Sequence, residues 1–407
     1  MAASQPSMND IALLKLAVLP SLLHFLVAAV ERHRSSQPAR RIVERSVIHR
    51  DSVQRHAARQ PADGPRTSGF GHHAVDWRPA GHRAAGPQRQ PVLVGALRSR
   101  GAILGVDAGG SGTRAALVVD GVVTDTLTSG PFNYLLQDGG VEQMAALIRE
   151  SAAVAAGIGV PGIARQPGAA QSFARAVSEA SGAHVSVASD AAVAWLGAFL
   201  GGPGIAVIAG TGSVAVGGNA GGHGNLIRCG GHGFLVGDQG GGYWIGRRGL
   251  QAALAGAEGT GPATGLTEAL QEATGATLDE LVVRVHQDPR NRSLLAGLAR
   301  VVAACAGGSE NLSGGSRDAA DEVALGIIKA AAVELATLAG VLRRRLGELP
   351  VAGVGGVFAI TELWEEFSSR TDAVAPLAVP ELGAALLAGR ESEVLAPDQP
   401  QASQSMR

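Results

Sequence analysis

The stretch that decides the fold is Asp107–Arg114, DAGGSGTR, which lies between two apolar segments. Residues 102–107 before it, residues 114–120 after it and residues 122–128 have the apolar composition of short strands. The stretch holds three glycines in the six positions 108–113, whereas a two-residue hairpin turn needs only one or two. Because glycine lets backbone N–H groups approach an anion closely, we predict a meander of strands whose first turn, with Gly109, Gly110, Gly112 and Thr113, binds phosphate.

A second unit of the same kind begins a hundred residues later. A predicted strand at 204–209 leads into the turn Gly210–Ser213, GTGS, and a further strand at 214–217 follows. A predicted strand at 351–354 then runs into Gly355 and Gly356, a flat backbone surface for an adenine ring. Two strand–turn–strand units, each followed by helices, predict an α/β protein of two related lobes. We place the N-terminal lobe at 101–203, the C-terminal lobe at 204–390 and a disordered tail at 391–407.

Residues 1–100 differ in composition from the rest of the chain. An apolar run at 11–30 is long enough for a membrane anchor, but no positive charge precedes it, as a signal peptide would require. Residues 31–100 hold 14 arginines and lack periodicity, which is typical of a disordered tail or of a start codon assigned too far upstream. The net charge of −1 splits into +9 for 31–100 and −10 for 101–407. An acidic body argues against a specific nucleic-acid partner, and a membrane partner is the less favoured interpretation.

Several common sites are excluded by residue type and spacing. The two cysteines, Cys229 and Cys305, are far apart and form no disulfide framework or zinc motif, a pattern typical of the cytoplasm. The two lysines, Lys15 and Lys329, do not follow glycine, so a Walker A loop is absent. A helix is predicted at 141–156. The GxGxxG spacing that follows it at 157–162 carries a proline where another helix should begin, and we treat that spacing as accidental.

Two aspartates follow predicted strands. Asp107 ends the first strand and can hold a hydrated Mg²⁺ ion, which keeps several waters and uses one or two carboxylates. Asp190 follows the predicted strand 185–188 and precedes a predicted helix at 191–200. It can cap that helix, or it can act as a general base that accepts a hydroxyl proton during phosphoryl transfer.

The segment 229–245, CGGHGFLVGDQGGGYWI, is too rich in glycine to form one regular helix or strand. Its glycines permit close backbone approach to a polar ligand, and Asp238 is a candidate for binding sugar hydroxyls. His232 is either a ligand contact or an ordinary loop histidine. Tyr243 and Trp244 are expected to open a helix and pack in the core.

Taken in order, these elements resemble the N-acetylglucosamine kinase family, which belongs with the BadF/BadG/BcrA/BcrD ATPases in the actin–hexokinase–Hsp70 superfamily. The resemblance covers about residues 102–390. It rests on two phosphate motifs (107–114 and 209–213), an adenosine motif (354–358), the sequence GDQGGGYWI (237–245), Asn133 in SGPFN and Asp190 in SDAA.

The resemblance implies two actin-like (ribonuclease H-like) lobes with a nucleotide cleft between them, ATP and Mg²⁺ as cofactors, and the 6-hydroxyl of an amino sugar as acceptor. Asp190 would be the catalytic base, Asp107 would contact Mg²⁺ through water, and a homodimer is an expected assembly. The implied nucleotide contacts are Asp107, Gly109, Gly110, Gly112, Thr113, Gly210, Thr211, Gly212, Ser213, Gly355 and Gly356, and the implied sugar contacts are Asn133, Asp190, Gly231, His232 and Asp238.

Two departures from the family pattern leave the identity of the sugar open. Gln239 stands where the family has Glu, and His232 stands where the animal enzymes have Trp. N-acetylglucosamine and glucosamine both stay candidates. Two other functions within the superfamily are an activator ATPase, which needs cysteine ligands for an iron–sulfur cluster, and a sugar sensor, which needs no catalytic base.

Overall fold

The computed structural model describes residues 101–388 apart from 110–111, 131, 133–138, 167, 220–225, 288–291 and 308–319. These residues belong to one compact unit. The predicted extension 1–100, the predicted tail 391–407 and the candidate residues Gly110 and Asn133 lie outside the described residues.

The first sheet contains the predicted meander and two further parallel strands. Strands β1, β2 and β3 pair antiparallel in sequence order, and β4 and β5 are added on the other side of β1, giving the order β3-β2-β1-β4-β5. Two helices, α1 and α2, cover this sheet through a core that includes Met144, Ile148 and Val177. The bounds are β1 Ile103–Ala108, β2 Thr113–Val119, β3 Val122–Ser129, α1 Gly140–Glu150, β4 Ala155–Val160, α2 Ala169–Ser181 and β5 His184–Ser189.

The second sheet repeats this order of strands. Strands β6, β7 and β8 pair antiparallel, and β9 lies parallel to β6, giving the order β8-β7-β6-β9. An isolated bridge between Ala352 and Val374 marks the place that β5 occupies in the first sheet. The bounds are β6 Gly204–Ala209, β7 Ser213–Gly218, β8 Ile227–Gly230, α4 Gly242–Glu258, α5 Leu266–Thr274, α6 Leu278–Gln287, α7 Arg292–Ala306, α8 Glu322–Leu346, β9 Val351–Val354 and α9 Thr361–Thr371. The predicted pair of related α/β lobes is therefore confirmed.

Two helices, α3 (Asp190–Phe199) and α10 (Pro380–Ala388), connect the two sheets. The apolar side chains of α3 share a core with Ala206 and Val216 of the second sheet. Helix α10 ends the described chain, yet it packs on β1 and β4 of the first sheet, where a Cβ atom at Gly105 or Gly157 would overlap its backbone. The last helix of the segment 204–390 thus returns to the N-terminal sheet.

One predicted element was wrong in its extent. The helix expected to run from residue 141 to 156 ends at Glu150, and residues 155–160 form β4. Strand β4 contains the GxGxxG spacing, so these glycines do not open a helix. They are needed because α10 and the Val193 side chain lie too close for a Cβ atom at Gly157 or Gly159.

Helix α8 is the single helix in the described part of the chain that is long and apolar enough to cross a membrane, with a mean hydropathy of 1.8. Its residues Ile328, Leu335 and Leu342 are fully buried in the core of the second lobe. The hydropathy of α8 therefore has an explanation in core packing.

Candidate functional site

The turn between β1 and β2 is the first predicted phosphate motif, and Gly109, at its start, is closely surrounded. A Cβ atom at Gly109 would lie only 2.8 Å from the carbonyl oxygen of Gly112. The N–H of Phe132 donates to the carbonyl of Gly109 at 3.3 Å. Thr113 begins β2 and is 4% exposed. The carbonyl of Gly112 therefore leaves no room for a side chain at position 109, which explains the glycine there.

The second predicted phosphate motif is joined to the start of α4. Within the turn, the N–H of Gly210 donates to the carbonyl of Gly212 at 3.0 Å. The N–H of Gly242 donates to Gly210 at 2.8 Å, and that of Tyr243 donates to Thr211 at 2.9 Å. The turn and the first residues of α4 therefore form one hydrogen-bonded unit.

Asp238 lies between this second turn and the glycine-rich loop, which we define as residues Gly231–Asp238. The Oδ1 atom of Asp238 accepts from the N–H of Gly233 at 2.9 Å, and a Cβ atom at Gly212 would overlap Oδ2. The next residue, Gln239, accepts at its carbonyl from the Ser213 hydroxyl at 2.6 Å. Asp238 is predicted as a sugar contact, and in the structure its carboxylate lies against the second turn.

Burial raises the pKa of Asp238. The Gly233 N–H lowers it, and so do Arg292, Arg228 and Arg165 in that order. Guanidinium groups therefore lie near this carboxyl, and two of them, Arg228 and Arg165, also donate hydrogen bonds to the loop.

The third motif, at Gly355 and Gly356, lies beside the second turn because β9 pairs with β6. Gly355 has a φ of 110°, and a Cβ atom there would overlap the carbonyl of Ala209, which ends β6. Gly356 is exposed and has open space around its Cα atom. An exposed backbone surface next to a glycine turn suits a flat aromatic base.

Asp107 lies near the carboxyl end of β1, the central strand of the first sheet, and close to two other acids. Its pKa is raised from 3.8 to about 7, first by burial and then by the charges of Asp190 and Glu381, while Arg114 on β2 opposes the rise. Glu381 is in α10, and its Oε2 atom is buried without a hydrogen-bond partner among the described groups. Two acidic neighbours that disfavour the ionisation of Asp107 favour a bound cation at this place.

Asp190 is the first residue of α3, but it is not the helix cap. The hydroxyl of Ser189 caps α3 by accepting from the N–H of Ala192 at 3.1 Å. Asp190 accepts at Oδ1 from the N–H of Ala191 at 2.9 Å. Burial raises the pKa of Asp190, and Arg228 lowers it. The capping role weighed for Asp190 is therefore filled by its neighbour.

The glycine-rich loop meets both lobes at Gly231. The guanidinium groups of Arg165, after β4, and Arg228, on β8, both donate to the carbonyl of Gly231. His232 is exposed, whereas Trp244 is 8% exposed and packs in the helical core, as predicted. Neither arginine was predicted as a site residue.

No three His, Cys, Asp or Glu side chains within the described ranges form a group able to hold a metal ion on their own. A hydrated Mg²⁺ ion needs fewer protein ligands, because it keeps several of its waters. Asp107, with its acidic neighbours, fits that kind of ion.

The fold and these turns define an ATP-binding protein of the actin-like class, with two related lobes and glycine turns at the strand ends. The chain belongs to the BadF/BadG/BcrA/BcrD ATPase family, whose model matches residues 104–388. The predicted family resemblance and the predicted actin-like fold are both confirmed, and membership of this family implies the use of ATP.

Two solved structures support the same assignment of fold. One, named a "putative N-acetylglucosamine kinase" of Chromobacterium violaceum, is 26% identical, has a TM-score of 0.55, and is matched over 70% of this chain and 98% of its own. The other has the same name, comes from Porphyromonas gingivalis and is 20% identical, with a TM-score of 0.55 and the same two coverages of 70% and 98%. A comparison with curated proteins gave no match.

Proposed function

We propose that this protein is an ATP-dependent sugar kinase that phosphorylates the 6-hydroxyl of an amino sugar, N-acetylglucosamine or glucosamine. The observation that carries the proposal is the position of Asp190. Its carboxylate is partly buried at the start of α3, is released from helix capping by Ser189, and lies near enough to Asp107 for the two charges to interact. That is the arrangement expected of a general base beside a phosphate site.

In this mechanism the sugar oxygen attacks the γ-phosphorus of ATP while Asp190 accepts the hydroxyl proton. A bond forms between the sugar oxygen and phosphorus, the bond from phosphorus to the β–γ bridging oxygen breaks, and ADP leaves with that electron pair. Burial raises the pKa of Asp190, whereas the Ala191 N–H and Arg228 lower it and so favour the ionised form that can accept a proton. The Ala191 N–H, bonded to Oδ1, orients the carboxylate.

The nucleotide would lie along the three glycine turns. Thr113, Thr211 and Gly212 would contact the phosphates, and Gly355 and Gly356 would lie under the adenine ring, with Gly109, Gly112, Gly210 and Ser213 shaping the turns. Mg²⁺ bound with ATP would neutralise phosphate charge, and Asp107 would hold it through water. The raised pKa of Asp107 supports this role, because a group that resists ionisation in the free protein gains most from a cation.

The sugar would lie between Asp190 and the glycine-rich loop, with Gly231, His232 and Asp238 as contacts from the loop. Asn133 is proposed as a further contact from its match to the family motif alone. The Chromobacterium violaceum protein, named a "putative N-acetylglucosamine kinase", supports an amino sugar as the acceptor. The hydrogen bond from the Gly233 N–H to Asp238 supports this role, because it fixes the conformation of the loop by a contact between two of its own residues.

The two alternative functions have less support. An activator ATPase requires cysteine ligands for its cluster. Cys305 is 2% exposed in the helical core, and Cys229 is partly buried on β8, where burial raises its pKa. A sensor needs no base, and the position of Asp190 near Asp107 supports a catalytic role instead.

The test is a coupled assay of ADP release by the full-length protein with Mg-ATP. It compares N-acetylglucosamine, glucosamine, N-acetylmuramic acid and glucose, with phosphorylation at the 6-position verified by NMR. We expect turnover with an amino sugar. Asp190→Asn should lower kcat by about 10²–10⁴-fold, the usual contribution of a general base. Asp120→Asn, at an exposed turn between β2 and β3, is the matched control and should match the wild type.

Sugar-independent ATP hydrolysis, or an Asp190→Asn variant as active as Asp120→Asn, would contradict the proposal. The first outcome would favour an activator ATPase. The second would leave the kinase but remove Asp190 as its base.

A further inference from the structure

Two arginines from different lobes converge on one peptide carbonyl, that of Gly231. Arg165 ends a short turn, Ile163–Arg165, that follows β4 in the first lobe. Arg228 lies on β8 in the second lobe, and its Nε also donates to the carbonyl of Gly230 at 3.2 Å. Both guanidinium groups donate to Gly231. The contact of Arg165 therefore joins the N-terminal lobe to the start of the glycine-rich loop across 66 residues of chain.

The glycine-rich loop needs such support because it has little structure of its own. Gly230, Gly231 and Gly233 have left-handed φ angles of 78°, 67° and 91°, and glycine is the residue that loses most conformational freedom when it is ordered. Leu235 and Val236 are both 78% exposed, so the tip of the loop contributes little packing.

The far end of the loop is held within the second lobe. Asp238 accepts from Gly233, and the Phe234 ring packs on Tyr243 at 4.9 Å with Arg292 above it at 5.6 Å. These contacts involve the second lobe alone. The near end, at Gly231, has Arg228 from its own lobe and Arg165 from the opposite one.

We infer that Arg165 is a positioning residue that fixes the glycine-rich loop against the N-terminal lobe and so completes the sugar site. This inference rests on the proposed function, because the loop is taken as the sugar contact. Without Arg165, the loop would occupy the position that binds the sugar for a smaller fraction of the time. The apparent affinity for the sugar would fall in proportion to that fraction. The nucleotide turns would stay in place, because Arg165 makes its described hydrogen bond to the loop alone.

The test uses full-length Arg165→Ala, Arg165→Lys and Arg175→Ala, the last an exposed arginine on α2 of the same lobe. We expect Arg165→Ala to raise the KM for the sugar by about tenfold or more, the effect of losing one hydrogen bond from a charged donor. The Kd for Mg-ATP measured without sugar, and kcat at saturating sugar, should stay within about twofold, as for a loss of uniform binding. Arg165→Lys, which keeps the charge and a donor, should recover part of the affinity, and Arg175→Ala should match the wild type.

A second measurement does not depend on the sugar. Hydrogen–deuterium exchange of the amides in Gly231–Gly237 should be faster in Arg165→Ala than in Arg175→Ala, while exchange in β1 and β6 is unchanged. Equal exchange and an equal sugar KM in the two variants would overturn the inference. A rise in both the sugar KM and the Kd for Mg-ATP, with a lower melting temperature, would also overturn it, by showing a general structural role. If the wild type phosphorylates no sugar, the proposed function fails, and loop exchange alone decides the role of Arg165.

Discussion

At the scale of single residues, Asp107 is held where its ionisation is unfavourable. Its pKa of about 7 lies above the ordinary value of 3.8, first because of burial and then because of Asp190 and Glu381. Between these two values the folded protein keeps a proton that the unfolded chain has lost, so the wild type loses stability as pH rises from about 4 to about 7. Asp107→Asn has no such proton.

We therefore expect Asp107→Asn to gain stability relative to the wild type as pH rises from about 5 to about 8, by on the order of 2 kcal/mol. Urea unfolding at several pH values, without nucleotide or metal, measures this difference. Asp120→Asn, at an exposed turn where Asn accepts the φ of 51°, should show no such trend. A constant difference between Asp107→Asn and the wild type would mean that Asp107 titrates normally in the fold.

The sequence located the acids that bear the chemistry but not the arginines around them. Asp107 and Asp190 stand at the ends of strands next to recognisable motifs, and the structure places both there. Arg165 has no local pattern, because its partner is Gly231, 66 residues away. A residue whose role depends on a contact with the other lobe cannot be recognised from the residues that flank it in the sequence.

At the scale of elements, the packing of α10 on the first sheet depends on glycine. A Cβ atom at Gly157 would overlap the carbonyl of Ala384, and one at Gly105 would overlap that of Glu381. The helix backbone therefore rests directly on β1 and β4. This close approach also places Glu381 near Asp107, because Glu381 lies against Gly105, which is two residues before Asp107 on β1.

We expect Gly157→Ala to destabilise the protein by about 1–3 kcal/mol or more, the usual cost of overpacking against backbone. Gly297→Ala is the matched control, since Gly297 lies in α7 with open space around it. That change should stabilise by about 0.5–1 kcal/mol, because alanine is the better helix former. Equal effects of the two substitutions on thermal unfolding would show that α10 does not need the close contact.

The same glycines explain which elements the sequence predicted poorly. Strands β1, β6 and β9 are runs of Val, Ile and Ala bounded by glycine turns, and their predicted positions are confirmed. Strand β4, AAGIGV, has small residues at its contacts with α10 and α3 and was mistaken for the end of a helix. Helix α9 was not predicted, because its apolar positions, Leu363 and Phe367, are few among polar ones.

At the scale of the whole molecule, nucleotide and sugar are expected to bind cooperatively. Asp238 contacts the second phosphate turn through Gly212 and the glycine-rich loop through Gly233. Arg165 adds a contact from the loop to the first lobe. A ligand that orders one of these segments therefore reduces the cost of ordering the other for the second ligand.

Calorimetric titration of full-length Asp190→Asn, which cannot turn over, measures this coupling. We expect the Kd for the sugar to fall by about 5–150-fold when a non-hydrolysable ATP analogue and Mg²⁺ are saturating, the range of typical coupling energies. The Kd for the analogue must fall by the same factor when the sugar is saturating, because the coupling is reciprocal. Arg165→Ala in the same background should reduce the factor, whereas Arg175→Ala should preserve it. A sugar Kd that does not change when the analogue binds would mean that the two ligands bind independently. Nucleotide binding would then not help to exclude water from the sugar site.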